Sequence, residues 1–213
     1  MRKVFRFFVV LLPVFLTTFS VVSVCRGQVL INEILADPAR DWDGDGEENF
    51  RNDEWVEIVN AGDSVVDLDG YLLADGEGEI VCRYGFSGLL DPGAVRVVYG
   101  SESRAWEESN GLPVYGLSLN NAGDRVSLYR VIGPDTVLVD SIDCDDKAAE
   151  DDRSLGRSEK DIGMWAVFDA YNPCADKCVP AGCGCIPTPG GTNGCITAEK
   201  SESWGMIKRI YDD

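Results

Sequence analysis

The stretch "DEWVEIVNAGDSVVDLDGYLLAD", Asp53 to Asp75, decides the fold class, because it holds three short apolar runs separated by turn residues. The first run, Glu54–Ala61, ends at Gly62-Asp63. The second half, Val65–Asp75, contains two short runs on either side of Asp69-Gly70. Short runs rich in Val, Ile and Leu, bounded by Gly and Asp, are typical of strands in antiparallel sheets.

The same pattern continues on both sides of this stretch. Apolar runs bounded by Gly, Pro and Asp turns predict further strands at Gln28–Ala36, Glu79–Phe86, Ala94–Gly100, Asp124–Val131 and Asp135–Ile142. The segment Ser101–Gly111 differs, with Ser at an N-cap position, Glu in the first turn and Gly just past the end, so it predicts one short helix. We expect the acidic stretch Asp143–Asp152 to be a loop or a single turn. The chain is therefore predicted to be an all-β antiparallel sandwich or barrel.

The first 27 residues predict a secretory signal peptide. A basic start, Met1–Arg6, precedes the apolar run Phe7–Val24, and small residues follow at Cys25 and Gly27. The mature chain would then begin near Gln28 and reach the extracellular space or the cell surface. An uncleaved membrane anchor and lipid attachment at Cys25 are the alternatives. No later segment is apolar and long enough to predict a membrane span.

Composition argues against two function classes. The chain has 37 acidic and 19 basic residues, a net charge of −18, and the predicted signal peptide holds only basic ones. Nonspecific nucleic-acid binding rests on neutralising phosphates with Lys and Arg, so no nucleic-acid partner is expected. The chain contains no histidine, which removes Ser-His and Cys-His nucleophile pairs and every His-ligated metal site. The absence of histidine therefore favours a protein that is not an enzyme.

Eight cysteines are present, and Cys25 would leave with the signal peptide. Five of the rest lie between Cys174 and Cys195. Disulfides are the expectation in an exported protein, with zinc ligation by thiolates as the alternative. Cys82 and Cys144 would pair with each other across the sheet, or one of them would reach the cluster.

An acidic loop follows the first predicted strand, "DWDGDGEENFRNDEWVE", Asp41 to Glu57. Its aspartates stand at positions 1, 3 and 5, with Gly46 at position 6, which is the opening of an EF-hand-type calcium loop. Position 12 is Asn52 instead of a bidentate Glu, so a slightly longer loop would bring in the acids beyond it. The candidate calcium ligands are therefore Asp41, Asp43, Asp45, Glu47, Asp53 and Glu54. A solvated acidic turn is the alternative.

Other polar and aromatic residues have simpler interpretations. Glu54 and Glu57 could form the carboxylate pair of a glycoside hydrolase, but strand alternation places them on opposite faces. The strand aromatics are expected in the core instead of on a carbohydrate-binding platform: Trp55, Tyr71, Trp165 and Phe168.

Several motifs in a fixed order resemble a known family. They are "LINEILADP" (Leu30–Pro38), the stretch from Asp53 to Asp75, "LNNAGDRVSLY" (Leu119–Tyr129) and "PTPGGTN" (Pro187–Asn193). Together, from about Val29 to Asn193, they resemble the lamin tail domain as found in secreted bacterial proteins. The resemblance implies an immunoglobulin-like β-sandwich, no catalytic activity, a calcium-binding acidic loop, and a role as an interaction or anchoring module. The Cys-rich segment "DAYNPCADKCVPAGCGC" departs from the family and looks like a disulfide-stapled insertion.

These observations predict one domain at residues 28–194, with a Cys-rich insertion and end at 172–195, followed by a tail at 196–213 in which a short helix is expected. The predicted function is that of a secreted, non-catalytic binding or cell-surface module, stabilised by one calcium ion, with an unknown protein or cell-surface partner. An accessory or structural component of an extracellular hydrolase system is the alternative, as is a calcium-dependent hydrolase.

Overall fold

The computed structural model describes residues 29–75, 81–121, 123–145, 150–159, 161–174, 178, 180 and 182–194. The predicted signal peptide and the C-terminal tail lie outside the described residues. Within these described ranges, eleven strands and one helix follow one another. They are β1 (Val29–Leu35), β2 (Trp55–Asn60), β3 (Val66–Asp67), β4 (Tyr71–Asp75), β5 (Val81–Gly85), β6 (Leu89–Leu90), β7 (Val95–Tyr99), α1 (Gly100–Ser109), β8 (Gly123–Ile132), β9 (Asp135–Asp145), β10 (Ser154–Arg157) and β11 (Trp165–Phe168).

Two antiparallel sheets pack face to face. One has the order β11-β10-β1-β2-β7, the other the order β5-β4-β8-β9, and β3 and β6 form a small separate pair. The main core lies between the two large sheets, because buried side chains of both join one cluster, including Ile34, Val56, Ile58, Leu73, Val126 and Leu128. The predicted immunoglobulin-like antiparallel β-sandwich is confirmed.

Strand alternation in β2 separates two layers of side chains. Val56 and Ile58 point into the main core, whereas Trp55 points to the outer face of the five-stranded sheet. There it is fully buried in a second cluster with Leu35 and Val97. The prediction that Trp55 is a core residue is confirmed, and Tyr71 and Phe168 are buried too.

The helix begins earlier than its sequence predicts. It starts at Gly100 with Tyr99 as N-cap, not with Ser101. The backbone N–H of Tyr99 donates to the Glu102 carboxylate at 3.2 Å, which satisfies one of the free donors of the first turn. A Cβ at residue 100 would overlap the carbonyl oxygen of Arg51, so only glycine fits where the helix begins. The prediction of Glu102 in the first turn and Gly111 just past the end is confirmed.

Two other segments differ from the sequence prediction. β9 runs on to Asp145, so the first three residues of the expected acidic loop are strand. The neighbouring strand explains this, because Arg125 on β8 lies opposite Asp143 and its Nε donates to Oδ1 at 2.6 Å. The predicted strands also omit β6, whose two residues lead directly into the Asp91-Pro92-Gly93 turn.

Candidate functional site

The acidic loop connects β1 to β2 and lies at one end of the five-stranded sheet. Three of its aspartates converge: one carboxylate oxygen each of Asp41, Asp43 and Asp45 lies within 4.8 Å of the others. Oxygens that bind one calcium ion at 2.3–2.6 Å stand at separations up to about 5 Å. The spacing of the three carboxylates therefore fits the first ligands of a calcium ion.

The loop backbone curls around these carboxylates. Asp41 accepts from the N–H of Gly44 at 2.7 Å and from that of Gly46 at 2.9 Å. Asp43 and Asp45 each accept from the N–H two residues on, at 3.0 and 2.8 Å. Gly44 and Gly46 have φ of +77° and +94°, a region that residues with a Cβ avoid. These turns and glycines hold alternate carboxylates toward one point.

Asp53 lies apart from the three converging aspartates. Its carboxylate is fully buried and accepts three backbone N–H groups, those of Trp42 (2.6 Å), Asp43 (3.0 Å) and Asn49 (2.7 Å). It therefore closes the base of the loop, and it does not join the converging aspartates. Its position directly after position 12 of the loop predicts a calcium ligand, whereas the structure places its carboxylate among backbone N–H groups.

Glu47 and Glu54, the remaining predicted ligands, also lie outside the converging group. The side chain of Glu47 is exposed, and its backbone N–H donates to Asp45. Glu54 is buried on the inner side of β2, where its carboxylate accepts from the N–H of Leu119 at 3.1 Å. Burial raises the pKa of Glu54 to about 8. The structure thus unites three of the six predicted ligands and directs the other three elsewhere.

The loop is anchored to the sandwich by an aspartate that the sequence did not single out. Asp152 accepts from the Trp42 indole at 2.8 Å, from the Ala39 N–H at 3.0 Å, and from Arg40 at 2.9 Å. Trp42 also packs beside Trp55, with ring centroids 6.0 Å apart. The N-terminal side of the loop is therefore held by part-buried contacts, while the three aspartates are exposed or half-buried.

A second acidic site is buried on the outer face of the five-stranded sheet. Glu33 and Glu57 lie opposite each other on β1 and β2. Glu33 accepts from the hydroxyl of Thr188 at 2.7 Å, and Glu57 accepts from the N–H of Gly190 at 2.7 Å. The amide of Asn193 donates to two backbone carbonyls of the sheet. Burial raises the pKa of both carboxyls, that of Glu57 to about 7.

This network fixes the path of the "PTPGGTN" segment across the sheet. Glu54, the residue directly before β2, points to the opposite side of the sheet from Glu57. The two carboxylates therefore do not flank a common site, as a glycoside hydrolase pair must. Because Glu54 accepts from Leu119 and Glu57 from Gly190, 65 and 133 residues away in sequence, these contacts could not be inferred from local patterns.

Glu54 lines a separate cavity of about 560 Å³ at one end of the space between the two sheets. Three more acidic residues line it, namely Asp37, Asp75 and Asp124, together with Arg51 and a few apolar side chains. Burial, followed by the neighbouring Asp124, raises the pKa of Asp75 to about 7. The cavity is distinct from the converging aspartates, since none of them lines it.

The structure shows disulfide bonding in the Cys-rich segment and bears on the expected Cys82–Cys144 pair. Cys174 and Cys178 form a disulfide, and Cys185 is disulfide-bonded as well. A bond between Cys82 and Cys144 is excluded, because β5 and β9 are opposite edges of the four-stranded sheet. Three strand spacings amount to about 14 Å, twice the Cα separation that a disulfide spans.

Comparison with known families agrees with the architecture. Residues 25–145, which include β1 to β9, match the model of the Lamin Tail Domain family. No curated protein matches the chain. Within the described ranges, no helix reaches the length and apolar character needed to cross a membrane. The match covers more than half of the sequence and the fold is the one that the family implies, so the chain belongs to the lamin tail domain family, a family of non-catalytic immunoglobulin-like domains.

Proposed function

We propose that the protein is a secreted, non-catalytic interaction module of the kind found in secreted bacterial proteins, with one calcium ion bound in its acidic loop. The observation that carries the calcium proposal is the convergence of Asp41, Asp43 and Asp45 within 4.8 Å. All three offer hard carboxylate oxygens, the donors that calcium prefers, and the loop glycines turn the backbone around them. Calcium would offset the mutual repulsion of the three charges and so stabilise the loop.

Two further observations support the proposal of an extracellular interaction module. Disulfides such as Cys174–Cys178 persist in oxidising compartments. The β8–β9 hairpin ends in large apolar side chains that are 42–55% exposed, namely Val131, Ile132, Val137 and Leu138. Strand alternation puts Val131 and Leu138 on one face of the hairpin tip and Ile132 and Val137 on the other, and exposed apolar side chains at such a tip are available to contact a partner.

A calcium-dependent hydrolase is the second candidate, favoured by the carboxylate-lined cavity. Two features weigh against it. The calcium aspartates do not line the cavity, so the ion would not reach a substrate bound there. The family is non-catalytic, and the chain has no histidine to act as general base. An assay with chromogenic glycoside and phosphoester substrates tests this candidate, and turnover that Glu54→Gln abolishes would replace the proposal.

Calcium is expected to raise the melting temperature of the oxidised protein. Extracellular calcium modules bind with dissociation constants of about 0.1–1 mM. At about 10 mM calcium, a tenfold excess over the weaker limit, mass action adds about 1.4 kcal/mol to the free energy of unfolding. A thermal melt with calcium and then with excess chelator measures the shift.

The double variant Asp43→Ala/Asp45→Ala should lose the calcium shift. The matched control is Asp63→Ala/Asp67→Ala, which removes two exposed aspartates elsewhere and should keep it. Equal melting temperatures with calcium and chelator in the unmutated protein would show that the loop is a solvated acidic turn.

Export is tested separately. The protein recovered from outside the producing cell is expected to begin near Gln28, which mass spectrometry of the intact chain would establish. Recovery of the full-length chain only from inside the cell would contradict the proposed secretion.

A further inference from the structure

The acidic cavity lies next to the main core, at one end of the space between the two sheets. Strand alternation explains its position, because Glu54 points to the same side of β2 as Val56. On the other sheet, Asp75 pairs with Val126, and Asp124 lies two residues before Val126 on the same face. At this end, the layer between the sheets therefore changes from apolar side chains to carboxylates.

One buried carboxylate oxygen among the residues that line this cavity lacks a hydrogen-bond donor. Asp75 is only 7% exposed, and its Oδ2 accepts from Arg83, at 3.0 Å from Nη2 and 3.3 Å from Nε. Its Oδ1 is buried and has no N–H or O–H donor among the described residues, and the carboxyl of Asp124 lies within hydrogen-bonding reach of the Asp75 carboxyl. A buried acceptor without a donor costs free energy, and in native proteins such groups usually meet a donor from a ligand or an ordered water.

The nearest charge on the cavity side is of the same sign. Asp124 borders Asp75 closely enough to raise its pKa, and its two oxygens already accept backbone N–H groups, from Arg125 at 2.7 Å and Asn120 at 3.1 Å. Arg51, the basic residue in the lining, donates to Ser118 at 2.6 Å and lowers the pKa of Glu54. The cavity lining therefore holds four acidic residues against one basic residue; Arg83 pairs with the Oδ2 of Asp75 from outside the lining, and the Oδ1 of Asp75 is left without a donor.

The geometry discriminates between kinds of cation. Among the described residues, the group that brings three potential metal ligands within 4.8 Å is in the acidic loop, and it contains none of the cavity acids. A metal ion would thus find too few carboxylates around one point. A volume of about 560 Å³ instead suits a small organic group, since ligand cavities span about 300–1,000 Å³. The lining also includes Leu119 and the ring of Phe50, which can contact an alkyl chain.

We propose that this cavity binds a primary alkylammonium group, as carried by a lysine side chain or a small diamine, with the ammonium between Asp75 and Asp124. An ammonium group brings three N–H donors and a positive charge, so it supplies what the Asp75 Oδ1 lacks. Its alkyl chain would lie against Leu119 and Phe50. The inference rests on the proposed interaction module, to which it gives a partner chemistry, but it does not depend on calcium in the loop.

The test is calorimetric titration of the purified, oxidised protein at pH 8 with chelator present. Three probes are compared: N-acetyl-lysine N-methylamide, 1,5-diaminopentane, and the uncharged N-acetyl-norleucine N-methylamide. We expect a dissociation constant of about 1 mM or tighter for at least one amine and no binding of the norleucine compound. Binding of the lysine compound alone points to a protein partner, and binding of the diamine alone points to a free amine.

Asp75→Asn and Asp124→Asn should each weaken amine binding by roughly 30-fold or more, because each removes one of the two charges that face the ammonium. Asp143→Asn, an exposed residue on β9 that changes the net charge equally, should leave binding unchanged. Circular dichroism tests whether each variant is folded. If Asp75→Asn does not fold, Asp124→Asn alone tests the inference.

Three results would overturn the inference. One is the absence of amine binding at about 50 mM, far above the affinity expected of such a site. Another is amine binding that both cavity variants retain. The third is calcium binding to Asp43→Ala/Asp45→Ala protein that Asp75→Asn abolishes, which would make the cavity a metal site. The calcium melt above does not involve the cavity, so its failure and the failure of this inference are distinguishable.

Discussion

Replacing Asp53 by alanine is expected to lower the free energy of unfolding by about 4 kcal/mol, in calcium and in chelator alike. The variant leaves the N–H groups of Trp42, Asp43 and Asn49 without their acceptor at the base of the loop. Hydrogen bonds to a charged group contribute about 1.5–3 kcal/mol each, and part of the loss is recovered by water because the donors are partly exposed. Urea-induced unfolding followed by tryptophan fluorescence measures the change.

Asp53→Asn is the matched variant. It keeps an acceptor for Trp42 and Asp43 but turns an amide N–H₂ toward the N–H of Asn49, so about half of the loss is expected. The comparison separates two roles for the residue. If Asp53 were a calcium ligand, as its sequence position suggested, the destabilisation would appear in calcium and largely disappear in chelator. That result would contradict its placement at the base of the loop.

Stability is expected to rise as the pH falls from 8 to 5, by at least about 3 kcal/mol. Burial raises the pKa of Glu54 to about 8 and the pKa values of Glu57 and Asp75 to about 7, above ordinary values of 4.5 for Glu and 3.8 for Asp. Between the two sets of values the folded protein binds more protons than the unfolded chain. The stability that these three carboxyls contribute is therefore fully present below about pH 4 and is lost as the pH rises through 7 to 8.

Each such group contributes a slope of up to about 1.4 kcal/mol per pH unit in its window. Urea unfolding at a series of pH values, in chelator, measures the slope without calcium binding. Glu54→Gln removes one titrating group while keeping an acceptor oxygen for the Leu119 N–H, so the slope between pH 6 and 8 should become shallower. Glu102→Gln, in a half-exposed ion pair with Arg96, is the control and should leave it unchanged. A free energy of unfolding that rises with pH over this range would contradict the raised pKa values of these buried carboxyls.

Buried carboxyls are a recurrent feature of this domain and lie at two distinct places. Glu33 and Glu57 tie the segment around Thr188 to the outer face of one sheet, whereas Glu54 and Asp75 line the cavity between the sheets. The first pair has its donors within the protein. The second site includes an oxygen that has no donor among the described residues, which is why a ligand is proposed for it alone.

The sequence by itself determined the antiparallel all-β class and the position of the acidic loop. Period-two alternation and turn residues are local, so they report which residues point inward and where strands end. The spacing of Asp41, Asp43 and Asp45 is local too, and the structure brings these three carboxylates together. The order of the motifs indicated the lamin tail domain family, whose model matches residues 25–145.

Only the tertiary structure decided what the other acids do. Asp53 and Glu54 are neighbours in sequence, but one closes the loop and the other lines the cavity, because alternation along the chain sends them to different surroundings. The start of α1 depended on the close approach of Gly100 to Arg51. Glu33 meets Thr188 across 155 positions of sequence. Such partners are set by sheet register and by the packing of one sheet on the other, and no local pattern contains that information.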